Sequence, residues 1–293
     1  MLFRLGLLGA GRMGRTHLAA LAGSETVRVV AIAEPDAASR ARLADSGASL
    51  HADLEAMLAA EALDGVLVAV PTGQHLATVM RLTAAGLPIL CEKPCGLNAT
   101  EARRAVEAGA RLQVAYWRRF VPALQELRRR VATGELGDLY HIACHQWDGA
   151  PPPPAFRVGS GGIFVDMGVH EFDQIRWLTG QEIVSLHAMS AYDPNNPESA
   201  QALCKLSGGA TALVSLGLRF PLGDVCRVEL FGTRDAAEAR FLWPPDADAV
   251  FHAALRAQAE AFAAWARGSP PQGASAADAV AALEAAERAT LNG

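Results

Sequence analysis

Residues 2–14, LFRLGLLGAGRMG, decide the fold of the first third of this chain. An apolar run typical of a buried strand leads directly into the pattern Gly-x-Gly-x-x-Gly. Gly9 permits a tight strand-to-helix turn, Gly11 lets a pyrophosphate approach the backbone, and Gly14 allows close packing of helix on strand. The helix N-terminus offers N–H groups to phosphates. The stretch predicts a dinucleotide site, and a glycine-rich turn without a ligand is the alternative. The predicted contacts are Gly9, Gly11, Arg12, Met13 and Gly14.

Apolar runs and helical stretches alternate from this motif to about residue 118. The strands predicted from the sequence are Leu2–Leu8, Val27–Ala33, Gly65–Val70, Pro88–Cys91 and Leu112–Tyr116. The predicted helices are Gly14–Leu21, Ala37–Ala44, Leu54–Ala60, His75–Ala84 and Thr100–Ala108. Continuous apolar strands are expected when helices cover both faces of a parallel sheet. We therefore expect an α/β, doubly wound parallel sheet over residues 1–118.

The rhythm changes after about residue 120, where consecutive extended runs predict a second, α+β domain over 119–293. The predicted strands are Tyr140–Trp147, Glu182–Ala191, Ala200–Leu206, Ala210–Arg219, Cys226–Phe231 and Glu238–Trp243. The predicted helices are Pro122–Ala132, Asp166–Leu178, Ala249–Ala266 and Ala274–Thr290. Short links between strands, such as Ser207-Gly208-Gly209, favour hairpins and a mainly antiparallel sheet.

Composition excludes several classes of protein. The 293 residues are 51% hydrophobic and 19% charged, which excludes a disordered or disulfide-stapled chain. The net charge of −5 argues against nucleic acid as a partner. No window reaches the roughly 18 apolar residues of a membrane span. Five cysteines without a Cys-x-x-Cys pair are typical of a reducing compartment, so we expect a cytoplasmic protein.

Glu34 indicates which dinucleotide is bound. It lies 20 residues beyond Gly14, at the end of the second predicted strand. A carboxylate there can accept hydrogen bonds from the ribose hydroxyls of adenosine and repels a 2′-phosphate. The following residues Pro35 and Asp36 supply no arginine, so NAD is favoured over NADP.

Lys93 is the first candidate for chemistry. It lies in Glu92-Lys93-Pro94, just after a predicted strand and hence at the edge of a doubly wound sheet where ligands bind. Its ammonium group could stabilise developing alkoxide charge on a substrate. A solvated surface lysine is the alternative.

Asp166 and His170 form the second candidate group. They are four residues apart and share a face if the stretch is helical, with Asp173 three residues further on. A carboxylate beside an imidazole supports a general base, whereas a salt bridge on a helix face is the alternative. No ligand spacing supports a metal site, so no metal is expected. The remaining histidines interpreted as structural are His17, His51, His75 and His187.

Taken in order, these motifs resemble the Gfo/Idh/MocA family of NAD(P)-dependent oxidoreductases. Beyond the glycine fingerprint, the resemblance covers Val70–His75, Cys91–Pro94, Arg118–Phe120 and the D-x-G-x-H-x-x-D stretch from Gly161 to Asp173. The details are most similar to inositol 2-dehydrogenases. The resemblance implies a substrate domain with an open-faced mixed sheet, a homodimer or homotetramer formed through that sheet, and a final helix, about 274–290, that packs back toward the first domain.

The resemblance also implies roles for individual residues. The implied catalytic trio is Lys93, Asp166 and His170. The further cofactor contacts implied are Pro71, Thr72, His75, Glu92 and Lys93. The implied substrate contacts are Lys93, Arg119, Trp147, Asp148, Val165, Asp166 and His170.

Several positions depart from inositol-type members. Trp147 and Val165 stand where those members usually carry arginine. Further polar positions of the family pattern are occupied here by Val121, Leu124, Leu255 and Gln258. Polar contacts carry much of the specificity of a polyol site, so a less hydroxylated or partly apolar substrate is expected.

The predicted function is hydride transfer between NAD and a secondary hydroxyl of a cyclic polyol or sugar. His170 would take the hydroxyl proton, Asp166 would hold His170, and Lys93 would stabilise the alkoxide. The alternatives are an NAD(P)H-dependent reductase of a keto-sugar, related carbonyl or imine, and a non-catalytic NAD-binding regulator on the same scaffold.

Overall fold

The computed structural model describes residues 1–153, 157, 159–191, 198–242 and 246–292. The chain divides into two compact units. The first comprises 1–117 and 252–277, and the second comprises 118–251 and 278–293. This division places 252–277 with the first unit, whereas the sequence interpretation placed all of 119–293 in the second domain.

The first unit is built on a seven-stranded sheet in the order β13-β6-β5-β4-β1-β2-β3. Its strands are β1 (Phe3–Leu8), β2 (Val27–Ala33), β3 (Ser49–His51), β4 (Gly65–Val68), β5 (Ile89–Cys91), β6 (Leu112–Val114) and β13 (Ala274–Ser275). All pairs are parallel except β13 with β6. The doubly wound parallel sheet expected from the sequence is confirmed. The short edge strand β3 was not predicted, because three partly exposed residues form no apolar run.

The helices of this region alternate with the strands, as βαβ units require. They are α1 (Arg12–Leu21), α2 (Ala37–Ala41), α3 (Leu54–Ala60), α4 (His75–Ala84) and α5 (Ala99–Glu107). Two of them agree with the prediction to the residue, α3 and α4. Asp36, Asp53 and Asn98 each cap a helix by accepting a backbone N–H, which explains where α2, α3 and α5 begin.

The core of the first unit is continuous with a late helix, α8 (Ala247–Ala266). Phe262 is fully buried and meets Phe3 of β1 edge to face, with ring centroids 5.8 Å apart. Leu5 and Leu7 of β1 lie in the same cluster. The first unit therefore takes part of its core from the C-terminal end of the chain.

The second unit contains a six-stranded mixed sheet in the order β12-β11-β7-β10-β9-β8. Its strands are β7 (Leu139–Trp147), β8 (Ile183–Ala191), β9 (Ser199–Leu206), β10 (Thr211–Gly217), β11 (Val225–Gly232) and β12 (Ala236–Phe241). Only β7 and β10 pair in parallel, which confirms the expected mainly antiparallel sheet. The predicted end of the last strand at Trp243 lies outside the described residues.

One face of this sheet carries the helices α6 (Pro122–Ala132) and α7 (Val169–Thr179), and the last helix is α9 (Ala276–Asn292). Strand residues toward α6 and α7, such as Cys144 and Val214, are buried. Residues of the opposite face alternate with them, and Met189 and Leu203 there are 75% and 61% exposed. Nothing helical in the described parts of the chain is both long enough and apolar enough to traverse a membrane.

The segment before α7 differs from the predicted helix Asp166–Leu178. Phe164–Gly168 forms a single π-helical turn, and the α-helix proper begins at Val169. Single π turns within helices are frequently found at functional sites. Asp166 lies in this wider turn and His170 in the first turn of α7.

Candidate active site

The glycine loop after β1 has the shape that a dinucleotide pyrophosphate needs. Gly9 has φ +89°, and a Cβ there would lie 2.6 Å from the Ala69 carbonyl oxygen. A Cβ on Gly14 would collide with the Gly9 carbonyl oxygen, whereas a Cβ on Gly11 would meet no described atom within 4 Å. The turn and the helix contact therefore require glycine at 9 and 14, while the space over Gly11 is open.

The first turn of α1 can supply hydrogen bonds to phosphate. The first helical bond runs from Arg15 N–H to Gly11 O at 3.1 Å, and no side chain caps the helix. The N–H groups of Arg12 and Met13 thus precede the helical ladder and can donate to an anion. The residues present fit a dinucleotide.

Glu34 lies beside this loop at the end of β2. Its Oε2 accepts the Ala10 N–H at 2.8 Å, and its Oε1 accepts the Asp36 N–H at 2.9 Å. Arg40 donates to the carbonyl oxygens of Glu34 and Pro35 at 2.6 and 2.7 Å. The two residues that follow Glu34 in the sequence contain no arginine, but α2 brings Arg40 back to the same strand end.

Further candidate residues follow β4 and β5, the neighbours of β1 on its other side. Pro71 is exposed, and Thr72 begins a short 3₁₀ turn directly before α4. Lys93 is half-buried two residues after β5. Because these strands are parallel, their carboxyl ends lie at one edge of the sheet. The first unit therefore brings Gly9, Glu34, Thr72 and Lys93 to a single edge.

Two buried histidines hold the segment that contains Lys93. His17 of α1 places Nε2 2.6 Å from Glu92 Oε1, and Glu92 Oε2 accepts the Lys93 backbone N–H at 3.2 Å. His75 of α4 places Nδ1 2.7 Å from the Pro94 carbonyl oxygen and Nε2 2.8 Å from that of Val70. His75 thus uses both ring nitrogens on backbone carbonyls, and the side-chain contact to cofactor that the resemblance implied is not available to it in this arrangement.

Two neighbouring ion pairs fix α7 within the second unit. Arg118 donates to Glu171 at 2.5 Å, and both side chains are almost fully buried. Arg119 donates to both oxygens of Asp173, at 2.5 and 3.0 Å. Bidentate pairing of this kind sets the position and rotation of a helix. His170 directly precedes the first of these anchor points on α7, and only 7% of it is exposed.

These pairs change the expectation for Arg119. The resemblance implied a substrate contact, but the guanidinium is committed to Asp173 and also lies 3.4 Å from Asp278. The sequence spacing placed Asp173 on one helix face with Asp166 and His170. In the structure, Asp173 forms an ion pair with Arg119. The described residues contain no group of three His, Cys, Asp or Glu that could hold a metal ion.

Asp148 is a partly buried carboxyl group of the second unit with a raised pKa. Burial, together with the nearby charges of Asp224 and Asp166, raises its pKa to about 6. The amide of Gln146, 3.4 Å away, and Arg118 act in the opposite direction. Asp148 and Asp166 are therefore close enough in space for their charges to interact.

Trp147 does not lie on the same face of the sheet as α7. Its indole N–H donates to Ser215 Oγ at 3.1 Å and its ring lies over Gly217. The neighbouring Gln146 accepts from Arg118, which bonds α7, so Gln146 points to the helix-covered face. Successive strand residues point to opposite faces. The structure thus places Trp147 on the face away from α7, and a substrate contact from it within this chain is not supported.

Val165 lies within the π-helical turn. It is buried, and a Cβ on Gly161 would lie 2.8 Å from its Cγ1. The valine side chain fills the space under the preceding glycine turn. Lys93 belongs to the first unit, and Asp166 and His170 belong to the second.

Comparison with known proteins adds the following findings. Residues 3–120 match the sequence profile of an oxidoreductase family with an NAD-binding Rossmann fold, and residues 124–238 match the GFO/IDH/MocA C-terminal domain. A protein of Rhizobium meliloti named rhizopine catabolism protein MocA is 52% identical over 98% of this chain and 94% of its own length. An inositol 2-dehydrogenase of Rhizobium meliloti (strain 1021) is 32% identical over 82% of this chain and 76% of its own. The crystal structure of a myo-inositol dehydrogenase from Corynebacterium glutamicum ATCC 13032 superposes with a TM-score of 0.91 at 28% identity, covering 100% of this chain and 96% of that one.

Proposed function

The chain belongs to the Gfo/Idh/MocA family of NAD-binding oxidoreductases, and we propose that it transfers a hydride between NAD and a secondary hydroxyl of a cyclic polyol or sugar. The observation that carries this proposal is the sheet edge of the first unit. There the open space over Gly11 and the unbonded first turn of α1 lie at the same edge as Lys93. The names of the relatives, inositol 2-dehydrogenase and rhizopine catabolism protein, support the substrate class.

NAD would be held by the glycine loop, Glu34, the Pro71–Thr72 turn and the Glu92–Lys93 segment. When bound, it supplies a nicotinamide ring that accepts or returns a hydride. Lys93 places an ammonium group where alkoxide charge develops on the substrate oxygen. An imidazole nitrogen of His170 takes the hydroxyl proton, and Asp166 orients that ring. Asp148 and Val165 would line the substrate site.

Substitution of the proposed base tests this assignment. His170→Ala should lower kcat at least a hundredfold, the order expected for loss of a general base. NAD affinity, measured by titration calorimetry, should stay the same, because the dinucleotide contacts lie in the other unit. Lys93→Ala should also abolish turnover.

A panel of inositols, aldoses and glycosides with both cofactors, followed by absorbance of the reduced nicotinamide, identifies the substrate.

The outcomes of this panel separate the alternatives. Turnover only with keto-sugars or imines and reduced cofactor would favour the reductase. Tight NAD binding without turnover of any member would favour the non-catalytic regulator. Full activity of His170→Ala would refute the assignment of the base.

We propose that NAD is preferred over NADP because of Glu34. Its carboxylate repels a 2′-phosphate, but Arg40 lies at the same strand end. Glu34→Ser should therefore raise the NADP/NAD ratio of kcat/KM by at least tenfold, since removal of the carboxylate leaves the guanidinium to attract the phosphate. The double variant Glu34→Ser/Arg40→Ala should lose most of this gain. An unchanged ratio in Glu34→Ser would contradict the role of the carboxylate.

We also propose a homodimer or homotetramer formed through the open face of the second sheet. Exposed apolar side chains such as Met189 and Leu203 on that face support it. Leu203→Glu should lower the mass measured by light scattering, whereas Leu97→Glu, at an exposed leucine of the first unit, should not. A cytoplasmic location is proposed because the five cysteines are all free and buried.

A further inference from the structure

We propose that His17 is a positioning residue for Lys93 and acts through the carboxylate of Glu92. The sequence offered no partner for His17, and the fold supplies one 75 positions away along the chain. The inference rests on the proposed function, because it takes Lys93 to act in the reaction.

The contacts form an unbroken path from the dinucleotide helix to Lys93. His17 lies one turn beyond Gly14 on α1 and is 1% exposed. Its Nε2 donates to Glu92 Oε1 over 2.6 Å, and Glu92 is 6% exposed. The second oxygen of that carboxylate accepts the backbone N–H of Lys93 at 3.2 Å. Moving the His17 ring would therefore move the backbone that carries the lysine.

The path also sets a charge beside Lys93. Burial acts to raise the pKa of Glu92, but the hydrogen bond and charge of His17, together with Lys93, hold it below its ordinary value. The groups that face this carboxylate are His17 from α1, and Lys93 and the buried thiol of Cys91 from its own segment. Glu92 thus stays ionised, and its negative charge lies beside Lys93.

The opposite side of the segment is held from α4. His75 contacts the carbonyl oxygen of Pro94, the residue after Lys93, and that of Val70 at the end of the neighbouring loop. Lys93 is therefore the one residue between two positions fixed by histidines on different helices. Two apolar side chains would fill the place of His17 and Glu92 without the desolvation cost of a buried charged group. The desolvation cost of the His17–Glu92 pair has a reason if the pair holds Lys93 in position.

The test compares His17→Leu, His17→Gln and Glu92→Gln. Since a displacement of about 1 Å can lower a rate up to about a hundredfold, His17→Leu should lower kcat about ten- to a hundredfold while the Kd for NAD stays within about twofold. Glutamine can donate from nearly the position of Nε2, so His17→Gln should recover most of kcat. His51 also faces a glutamate, Glu61, in the same unit and is partly buried. His51→Leu is the matched control and should leave kcat unchanged.

The pH profile separates positioning from a packing defect. Without His17, the buried Glu92 carboxyl keeps its proton to higher pH, so the acid limb of kcat/KM should move to higher pH in His17→Leu. Glu92→Gln should lower kcat but leave the acid limb in place, because glutamine has no carboxyl group to titrate. The double variant should be no worse than Glu92→Gln, because both changes break the same path.

Several results would overturn the inference. One is a His17→Leu enzyme with the kcat and acid limb of the parent, and another is an equal loss in NAD affinity and kcat. If His17→Leu does not fold, full kcat in Glu92→Gln overturns it. Lys93→Ala keeps the two proposals apart: turnover in that variant refutes the proposed function, whereas an inactive Lys93→Ala beside a normal His17→Leu refutes the positioning role alone.

Discussion

The fold raises the pKa of Asp148, and this shift makes the stability of the protein depend on pH. Its pKa of about 6 follows from burial near two other carboxylates, Asp166 and Asp224. In the unfolded chain the group titrates near 3.8. Between these values the folded form binds more protons than the unfolded form, so stability falls as the pH rises through this window.

We predict that Asp148→Asn is more stable than the parent above pH 6 and equal to it near pH 3.5. Asparagine keeps the size of the side chain and removes the charge. The pKa difference corresponds to about 1–3 kcal/mol once partial exposure is allowed for. Urea midpoints at pH 7.5 and 3.5 measure it, and a gain of the same size at both pH values would contradict the raised pKa.

At this scale the sequence predicts residues whose role depends on near neighbours in the chain. Gly9, Gly11 and Gly14 act within one turn, so their roles could be read from spacing. His17 and Glu92 meet only because the fold brings α1 against the segment that follows β5, 75 positions further along the chain. Arg40 reaches Glu34 because α2 turns back on the strand end. The contact of His17 with Glu92 depends on tertiary distance, which no local pattern contains, whereas Arg40 lies only six residues beyond Glu34.

At the scale of elements, the strand-to-helix turn of β1 and α1 carries the dinucleotide site. Gly14 packs against the Gly9 carbonyl, whereas the space over Gly11 is open. The two glycines therefore serve different needs, one of the fold and one of the ligand.

We predict opposite failures for alanine at these two positions. Gly14→Ala forces α1 away from β1 and should lower both the melting temperature and the affinity for NAD. Gly11→Ala should melt as the parent does but bind NAD at least tenfold more weakly, because its methyl group occupies the space for the pyrophosphate. Calorimetric titration and thermal melts measure both quantities. Parent-like affinity in Gly11→Ala would mean that the pyrophosphate does not lie over that residue.

Most element boundaries could be predicted, and the exceptions have physical reasons. Strong apolar runs gave β2 to the residue, and side-chain caps agree with the starts of α3 and α5. The π-helical turn at Phe164–Gly168 was missed, because periodicity near 3.6 does not distinguish it from an α-helix. The face on which Trp147 lies follows from sheet register and the placement of α7, and the strand pattern alone left it open.

At the scale of the whole molecule, the first unit is assembled from both ends of the chain. Residues 252–277 contribute Phe262 to its core and β13 to its sheet edge. The sequence rhythm located the change near residue 120 but contained no sign that a late segment returns to the first sheet.

We predict that residues 1–117 alone form no cooperatively melting domain. Without residues 252–277, Phe3 loses its aromatic partner, and loss of a large buried aromatic side chain costs about 3–5 kcal/mol. A fusion of 1–117 to 252–277 through a Gly/Ser linker should restore a sharp melt and NAD binding. The same fusion carrying Phe262→Ala is the control and should melt lower. A sharp melt of 1–117 alone would contradict this account.

The late return of β13 also has a consequence for synthesis on the ribosome. About 160 residues separate the end of the first segment from β13, which at roughly 5–20 residues per second is about 10–30 s of translation. During that interval β6 has no β13 to pair with at the edge of the nascent sheet, and Phe262 does not yet cover Phe3. That is the period in which a chaperone would find this chain most exposed, and in which a pause in translation would be most harmful.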